Sequence, residues 1–344
     1  KDKALYGADV FTDILGNTSY KDEIQAFTIT DEENALEVAF KGYQGEGILA
    51  NDTLTYFGKS KPTNLSIEQA KMVIGEIDMS MVAAASFAEM LQTGLYDSES
   101  KFTISSFTLS DATKEIDAKL ENIYVEAISK VDSANDAASV AVTYGVDTIN
   151  ANDFNAKDVA LAVEINNISK AFLTAYQDNA QLFSEGTDEE IQANIVKFAQ
   201  ENLLTLLSAE PQINITSLRA TLDDGAFESH LNTSVVGITQ LPNIMENPMF
   251  WLPHVLANGE IKGSKAVIER IAALAMESQI RSNPQAANMT EEEVKQIAAQ
   301  QVPQVLQTFV QQGFIIENKS GYQTKFVFKD TALTINDNLI PLPI

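Results

Sequence analysis

The chain has 344 residues, 45% of them hydrophobic, and a formal net charge of −25. That composition supports a packed globular protein and excludes global disorder. The charge excludes a nucleic-acid backbone as partner, because lysines and arginines are scattered singly among more than twice as many acids and form no basic patch.

There is no cysteine, so structural disulfides and thiolate zinc sites are absent. No apolar run approaches the roughly 20 residues of a membrane helix. The start at Lys1, without methionine, reads as a cut, with any membrane anchor lying upstream of it.

Residues 1–26 form a polar lead-in, in which Asp9–Leu15 predicts a short helix ending at Gly16. Residues 27–100 read as a first β-then-helix unit. Phe27–Thr30, Ala35–Phe40 and Leu54–Phe57 are strand-like, and Gly42, Gly45 and Gly47 suggest turns or bulges. Ser66–Gln69 matches a capping box, but Met72 and Ile74 favour a strand there. A helix is predicted over Ser80–Leu91, with Met79, Met81 and Met90 on a core face.

Residues 101–210 repeat the plan. Ile116–Val125 alternates, Val131–Ala137 is a polar turn, and Val140–Tyr144 is a strand. In Asp158–Tyr176, Val159, Leu161, Val163 and Ile165 alternate, and then Ile168, Phe172 and Tyr176 fall four apart. A strand thus runs into an amphipathic helix, with Asn166, Asn167 and Ser169 as candidate caps. Thr187 and Glu190 form a capping box for a second helix that ends before Pro211.

Residues 211–312 make a third unit. Asp223-Asp224-Gly225 is a hairpin signal between Leu218–Leu222 and Phe227–Val236. Helices are predicted over Ser264–Arg281 and from the capping box Thr290–Glu293 onward, with a bend near Pro303. The joint repeats as Glu76-Ile77-Asp78, Glu164-Ile165-Asn166 and Glu260-Ile261-Lys262. Residues 313–344 close the chain as a β-hairpin around Asn318–Gly321, followed by Leu333–Ile335 and Leu339-Ile340. The fold class expected is α+β: antiparallel strands running repeatedly into amphipathic helices, in an extended curved sheet with helices on one face.

The stretches Ser106–Phe172 and Ile213–Leu231, and the closing Phe328-Lys329-Asp330 with Leu333–Asn336, resemble the YdgA-like bacterial envelope proteins, a domain of unknown function numbered 945. The likeness covers most of the chain after about residue 25. It rests on hydrophobic patterns and turns, with Asn336-Asp337 where the family often has Asn-Gly. It implies a periplasmic protein held by an inner-membrane anchor, the anchor being its sole membrane contact, and brings no catalytic residues with it.

The residues themselves show no nucleophile elbow, P-loop or dinucleotide fingerprint. His230 and His254 are too few for a multi-histidine metal cluster and read as ordinary histidines. Asp223-Asp224 is explained by its turn, Glu291–Glu293 by a helix N-terminus, and Asp132–Asp136 lacks the features of a calcium loop. No catalytic residue, metal or cofactor is assigned. The unusual stretch is Leu241–His254, with the sole tryptophan, two methionines and three prolines. Met245, Met249, Phe250, Trp251 and Leu252 are its candidate apolar contact residues, set against the plainer reading of a loop pinned onto the sheet.

The function expected is a non-enzymatic periplasmic binding or scaffold protein, holding a lipid or other amphipathic ligand between sheet and helices. The alternative is an envelope interaction module, forming a homo-oligomer through this loop or the C-terminal strand edge. A hydrolase with a scattered site ranks below both.

Overall fold

The computed structural model describes residues 5–86, 96–152, 154–242, 248–283 and 289–342. It is mostly antiparallel sheet with helices, and it divides into two units. One is Lys1–Ile213 with Val236–Leu241, and the other Asn214–Val235 with Pro242–Ile344.

The first unit holds thirteen strands among its described residues. They are β1 (Tyr6–Thr12), β2 (Thr18–Ile24), β3 (Phe27–Asp31), β4 (Leu36–Phe40), β5 (Tyr43–Ala50), β6 (Thr53–Ser60), β7 (Thr63–Ile67), β8 (Ala70–Ile74), β9 (Ile77–Ala84), β10 (Asp97–Asp111), β11 (Ile116–Asp132), β12 (Ala137–Ala151) and β13 (Phe154–Ser169). Pairing runs β1-β2-β5-β6-β9-β10-β11-β12-β13. A branch runs β3-β4-β7-β8-β10. β10 pairs with β9 along its first half and with β8 along its second, so β8 and β9 are two halves of one bent strand.

The same bend recurs at one level in every long strand. Along each strand the apolar positions step by three there instead of two: Phe40 to Tyr43, Ile74 to Ile77, Ile104 to Phe107, Leu120 to Ile123 and Val146 to Ile149. The backbone accommodates the slip with residues that tolerate it. Gly42, Asn122 and Asp158 have φ of 103°, 51° and 51°. Asn122 Nδ2 also donates to Asp147 Oδ2 at 2.6 Å. At Gly75 a side chain would meet the Ser105 and Ser106 hydroxyls, and it would lie 2.8 Å from the Ser106 backbone nitrogen.

Two expected helices are replaced by strand. Asp9–Leu15 lies in β1 and its turn, where Asp13 Oδ1 accepts from the Leu15 and Asn17 backbone N–H groups at 2.8 and 2.9 Å. Ser80–Ala84 continues β9, because β6 and β10 pair with it on both edges and satisfy its backbone. The rest of that expected helix, Met90 included, falls mainly on 87–95, outside the described residues.

Three hairpin turns share one device. Asp31, Asp111 and Asp132 each accept backbone N–H groups two and three residues on. The fourth residue on is left-handed in each case: Ala35, Glu115 and Asp136. The Thr113 hydroxyl foremost, with the Thr113 and Lys114 N–H groups, holds the buried Asp111 carboxyl below its ordinary value. Asp31 and Asp132 are lowered first by the Asn34 and Asn135 side chains. A folded value below the unfolded one stabilises above the unfolded value of about 4, and that gain is lost as pH falls through the folded value. Urea midpoints should therefore drop as the pH is lowered below about 4, and less steeply in Asp111→Asn, which keeps an acceptor and loses the charge. An identical acid slope in that variant would contradict this account.

After β13 come α1 (Lys170–Asn179) and α2 (Asp188–Leu207), both packed on β13. Ser169 caps α1 through the Phe172 N–H, and Thr187 with Glu190 forms the capping box of α2. Phe172, Tyr176, Phe183 and Phe198 pack together with ring centroids 5.2–6.1 Å apart.

The second unit contains β14 (Gln212–Leu222, entering from the first unit), β15 (Gly225–Val235), the one-turn α3 (Pro248–Trp251), β16 (Val255–Gly263), α4 (Lys265–Arg281), α5 (Glu291–Gln311), β17 (Ile316–Asn318), β18 (Gly321–Lys329), β19 (Ala332–Ile335) and β20 (Asn338–Ile340). Its ladder is β15-β16-β18-β19-β20. Ser264 caps α4 as Ser169 caps α1, and Thr290 with Glu293 caps α5. α5 runs on through Pro303. Val302, Leu306 and Tyr322 form a buried core with Ile268, Ala272 and Met276 against it.

Candidate functional site

Residues paired across antiparallel strands share a face, as do residues two apart on one strand. On the hairpin side of the bend, the first unit's rows can therefore be read off the register. One row is Ile77, Ile104, Ile123, Val146 and Val159. The next is Met79, Phe102, Val125, Tyr144 and Leu161. The same face continues toward β1 as Tyr56, Gly58 and Ser60 on β6, Tyr43, Gly45 and Gly47 on β5, and Tyr20, Asp22 and Ile24 on β2. Four positions on each of nine strands, β1, β2, β5, β6 and β9 to β13, give this face a single charged residue, Asp22.

The opposite face of the same strands carries the charge. Lys59 pairs with Asp78 at 3.6 Å, and Lys101 with Glu126 at 2.7 Å.

The apolar face is not sealed. Within the described strands of the first unit the only buried hydrophobic residues are Ala83, Ala138, Ala156 and Ala160. Its isoleucines, valines, leucines, methionines and phenylalanines are half-buried or exposed, and Tyr144 is 51% exposed. The chain exposes 22005 Å² in all. Two separate compact units of these sizes would expose about 16,500 Å² together, so the excess does not depend on how the units are arranged.

At its β2–β6 end the face becomes tyrosine on glycine. The Tyr20 ring lies on Gly47 and the Tyr43 ring on Gly58, where a larger residue would collide with it. This corrects the reading of Gly45 and Gly47 as turns or bulges: both lie inside β5, in unbroken register with β2 and β6 and under aromatic rings. Tyr20 and Tyr56 stack across Gly47, with centroids 5.6 Å apart and an interplanar angle of 8°. The Tyr43 and Tyr56 hydroxyls hydrogen-bond to each other, and the Tyr56 hydroxyl donates to Asp22 Oδ1 at 3.4 Å. Burial first, and the Asp22 charge second, raise both the Tyr20 and Tyr43 hydroxyls above their ordinary value, so at neutral pH these are uncharged phenols.

With this geometry in hand, residues 1–343 match the model of a family described as bacterial protein of unknown function (DUF945). The chain belongs to this family. No curated protein and no solved structure matches it. Family membership agrees with the resemblance drawn from the sequence.

In this DUF945 protein the candidate residues from the Leu241–His254 stretch belong to the second unit and not to the strands that carry the apolar face. Met245 lies outside the described residues. Met249, 56% exposed, and the half-buried Phe250 and Trp251 belong to α3, and Leu252 starts the 3-10 turn after it. Phe250 packs edge-on to Trp251 at 5.1 Å and against His254 at 5.1 Å. His230 is far from His254 in the ladder, opposite Glu260 in the β15–β16 register. Asp223-Asp224 forms its turn, and Asp224 pairs with Arg270 of α4 at 2.8 Å. Among the described residues no group of three His, Asp or Glu could hold a metal ion, and no helix is long and apolar enough to cross a membrane.

The tyrosine end and Asp22 escaped the sequence reading. The available signal was the alternation Tyr43-x-Gly45-x-Gly47 and Tyr56-x-Gly58, tyrosine and glycine sharing one face.

Proposed function

We propose that this protein is a non-enzymatic binding protein of the bacterial envelope that holds a lipid or other amphipathic molecule against the apolar face of its first unit. The observation that carries the reading is that face: uncharged but for Asp22, lined by large hydrophobic side chains, and left unburied. Exposed apolar surface of this extent marks an interaction site in a soluble protein. We place the protein in the periplasm, tethered by an inner-membrane anchor; the resemblance to YdgA-like proteins supports this. The finer architecture proposed with it is an extended curved sheet with helices on one face, in which a strand runs into a helix at two joints, after β13 and after β16. The matching serine-capped joints at Ser169 and Ser264 support it.

Magnitudes favour an amphipath. A sixteen-carbon chain fully buried gains about 12 kcal/mol, and about half of that when it is covered on one side only. Association costs consume roughly 4 kcal/mol or more. Chain burial alone therefore gives weak binding. Titration with a neutral monoacylglycerol, followed by native mass spectrometry, tests the reading. Saturable binding is expected, and adducts no more frequent than on an unrelated acidic protein would refute it.

A second reading is assembly of like chains, favoured by the exposure of Met249 and of Leu339 on β20, which pairs with β19. In that case Phe250→Ala with Trp251→Ala should turn a dimer into a monomer by light scattering. A monomer both before and after rules it out.

A further inference from the structure

We propose that the tyrosine–glycine end of the apolar face is a headgroup site for a phospholipid whose head carries an ammonium group, with Asp22 as its countercharge. The proposal rests on the lipid-binding reading of that face and names the class of lipid.

Asp22 is the sole charged residue among the face positions of nine strands, in a chain of 71 charged residues (23 basic and 48 acidic). Among the described residues no lysine or arginine comes within ion-pairing distance of it, whereas Lys59, Lys101 and Lys130 on other strands are all paired. Its neighbour Lys21 points to the opposite face, opposite Glu46. A carboxylate placed on an apolar, aromatic surface without a cation is costly unless something brings the cation. What surrounds it fits an ammonium. Tyr20, Tyr43 and Tyr56 offer ring faces, which attract cations, and the hydroxyl chain from Tyr43 through Tyr56 to Asp22 fixes the carboxylate beside those rings. The glycine floor keeps the place shallow enough for a head to rest on it: a side chain at Gly45 would run into Asp22 Oδ1 and the Tyr56 hydroxyl. An anionic head is disfavoured twice, by Asp22 locally and by the chain's net charge of −25. The apolar rows begin beside this end, at Ile77 and Met79, so a head at Asp22 leaves its acyl chains along β9 to β13.

The test uses phosphatidylethanolamine and phosphatidylglycerol with identical acyl chains, presented singly and in competition, with bound lipid weighed by native mass spectrometry. Wild type should retain the ethanolamine lipid about tenfold over the glycerol lipid. Asp22→Asn should bring the two to near parity and keep monoacylglycerol binding, which shows that the face is intact. Equal retention of the two lipids by wild type, or an undiminished preference in Asp22→Asn, overturns the proposal. Monoacylglycerol bound without head preference removes the headgroup site alone. Binding of none of the three removes the apolar-face reading and this proposal with it.

Discussion

Replacing Tyr144 by glutamate should cut lipid binding at least thirtyfold while leaving the fold intact. Tyr144 sits in the middle of an apolar row, opposite Val125 on β11 and Leu161 on β13. It is 51% exposed, so its ring is not needed to seal a core, and the strand tolerates a polar residue at such a position. A carboxylate there would be desolvated whenever an acyl chain lay over it, at a cost of about 2 kcal/mol or more, roughly thirtyfold in affinity. Monoacylglycerol titration with circular dichroism checks both halves. A folded variant that binds as wild type does would show that the ligand lies elsewhere.

The largest effect on stability is expected from Gly321→Ala in the second unit. Gly321 has φ of 139°, which an L side chain rarely adopts. A side chain there would run into the Gly263 carbonyl oxygen and lie 2.8 Å from Ser264 Cα. Both obstacles are backbone, at the end of β16 and the cap of α4, so neither can swing aside. The next residue, Tyr322, is buried and packs with Val302 and Leu306. Strain and collision together should cost about 3 kcal/mol or more. Urea unfolding should show a lowered midpoint for the transition that includes the second unit. A midpoint equal to wild type would mean that the turn relaxes at no cost.

Much of this fold is legible in local patterns. The Ser169 and Ser264 caps, the capping boxes at Thr187 and Thr290, and the Asp223-Asp224-Gly225 turn rest on chemistry within a few residues of chain. The Asn336-Asp337 turn holds without a glycine because both residues take the left-handed conformation, at 48° and 65°. What failed depended on distant partners. Ser80–Ala84 has a helix-tolerant run of methionine and alanine, and it is a strand because β6 and β10 flank it. The bend was visible only as a step of three in the apolar spacing, which in one strand alone looks like a turn of helix.

The site was hidden for the same reason. Each strand shows its own alternation, but which face stays uncovered depends on what packs against it, and sequence does not state that. Asp22 looks ordinary beside Lys21 and Glu23 in the chain. It becomes singular only when the register lines it up with Gly45, Gly58 and Met79.

The most direct test of a lipid-holding apolar face is native mass spectrometry of gently purified wild type and Tyr144→Glu, followed by solvent extraction of each. The account predicts a lipid mass on the wild-type chain, recovered in the extract and absent from the variant. A bare wild-type chain, even after exposure to neutral lipid, would contradict it.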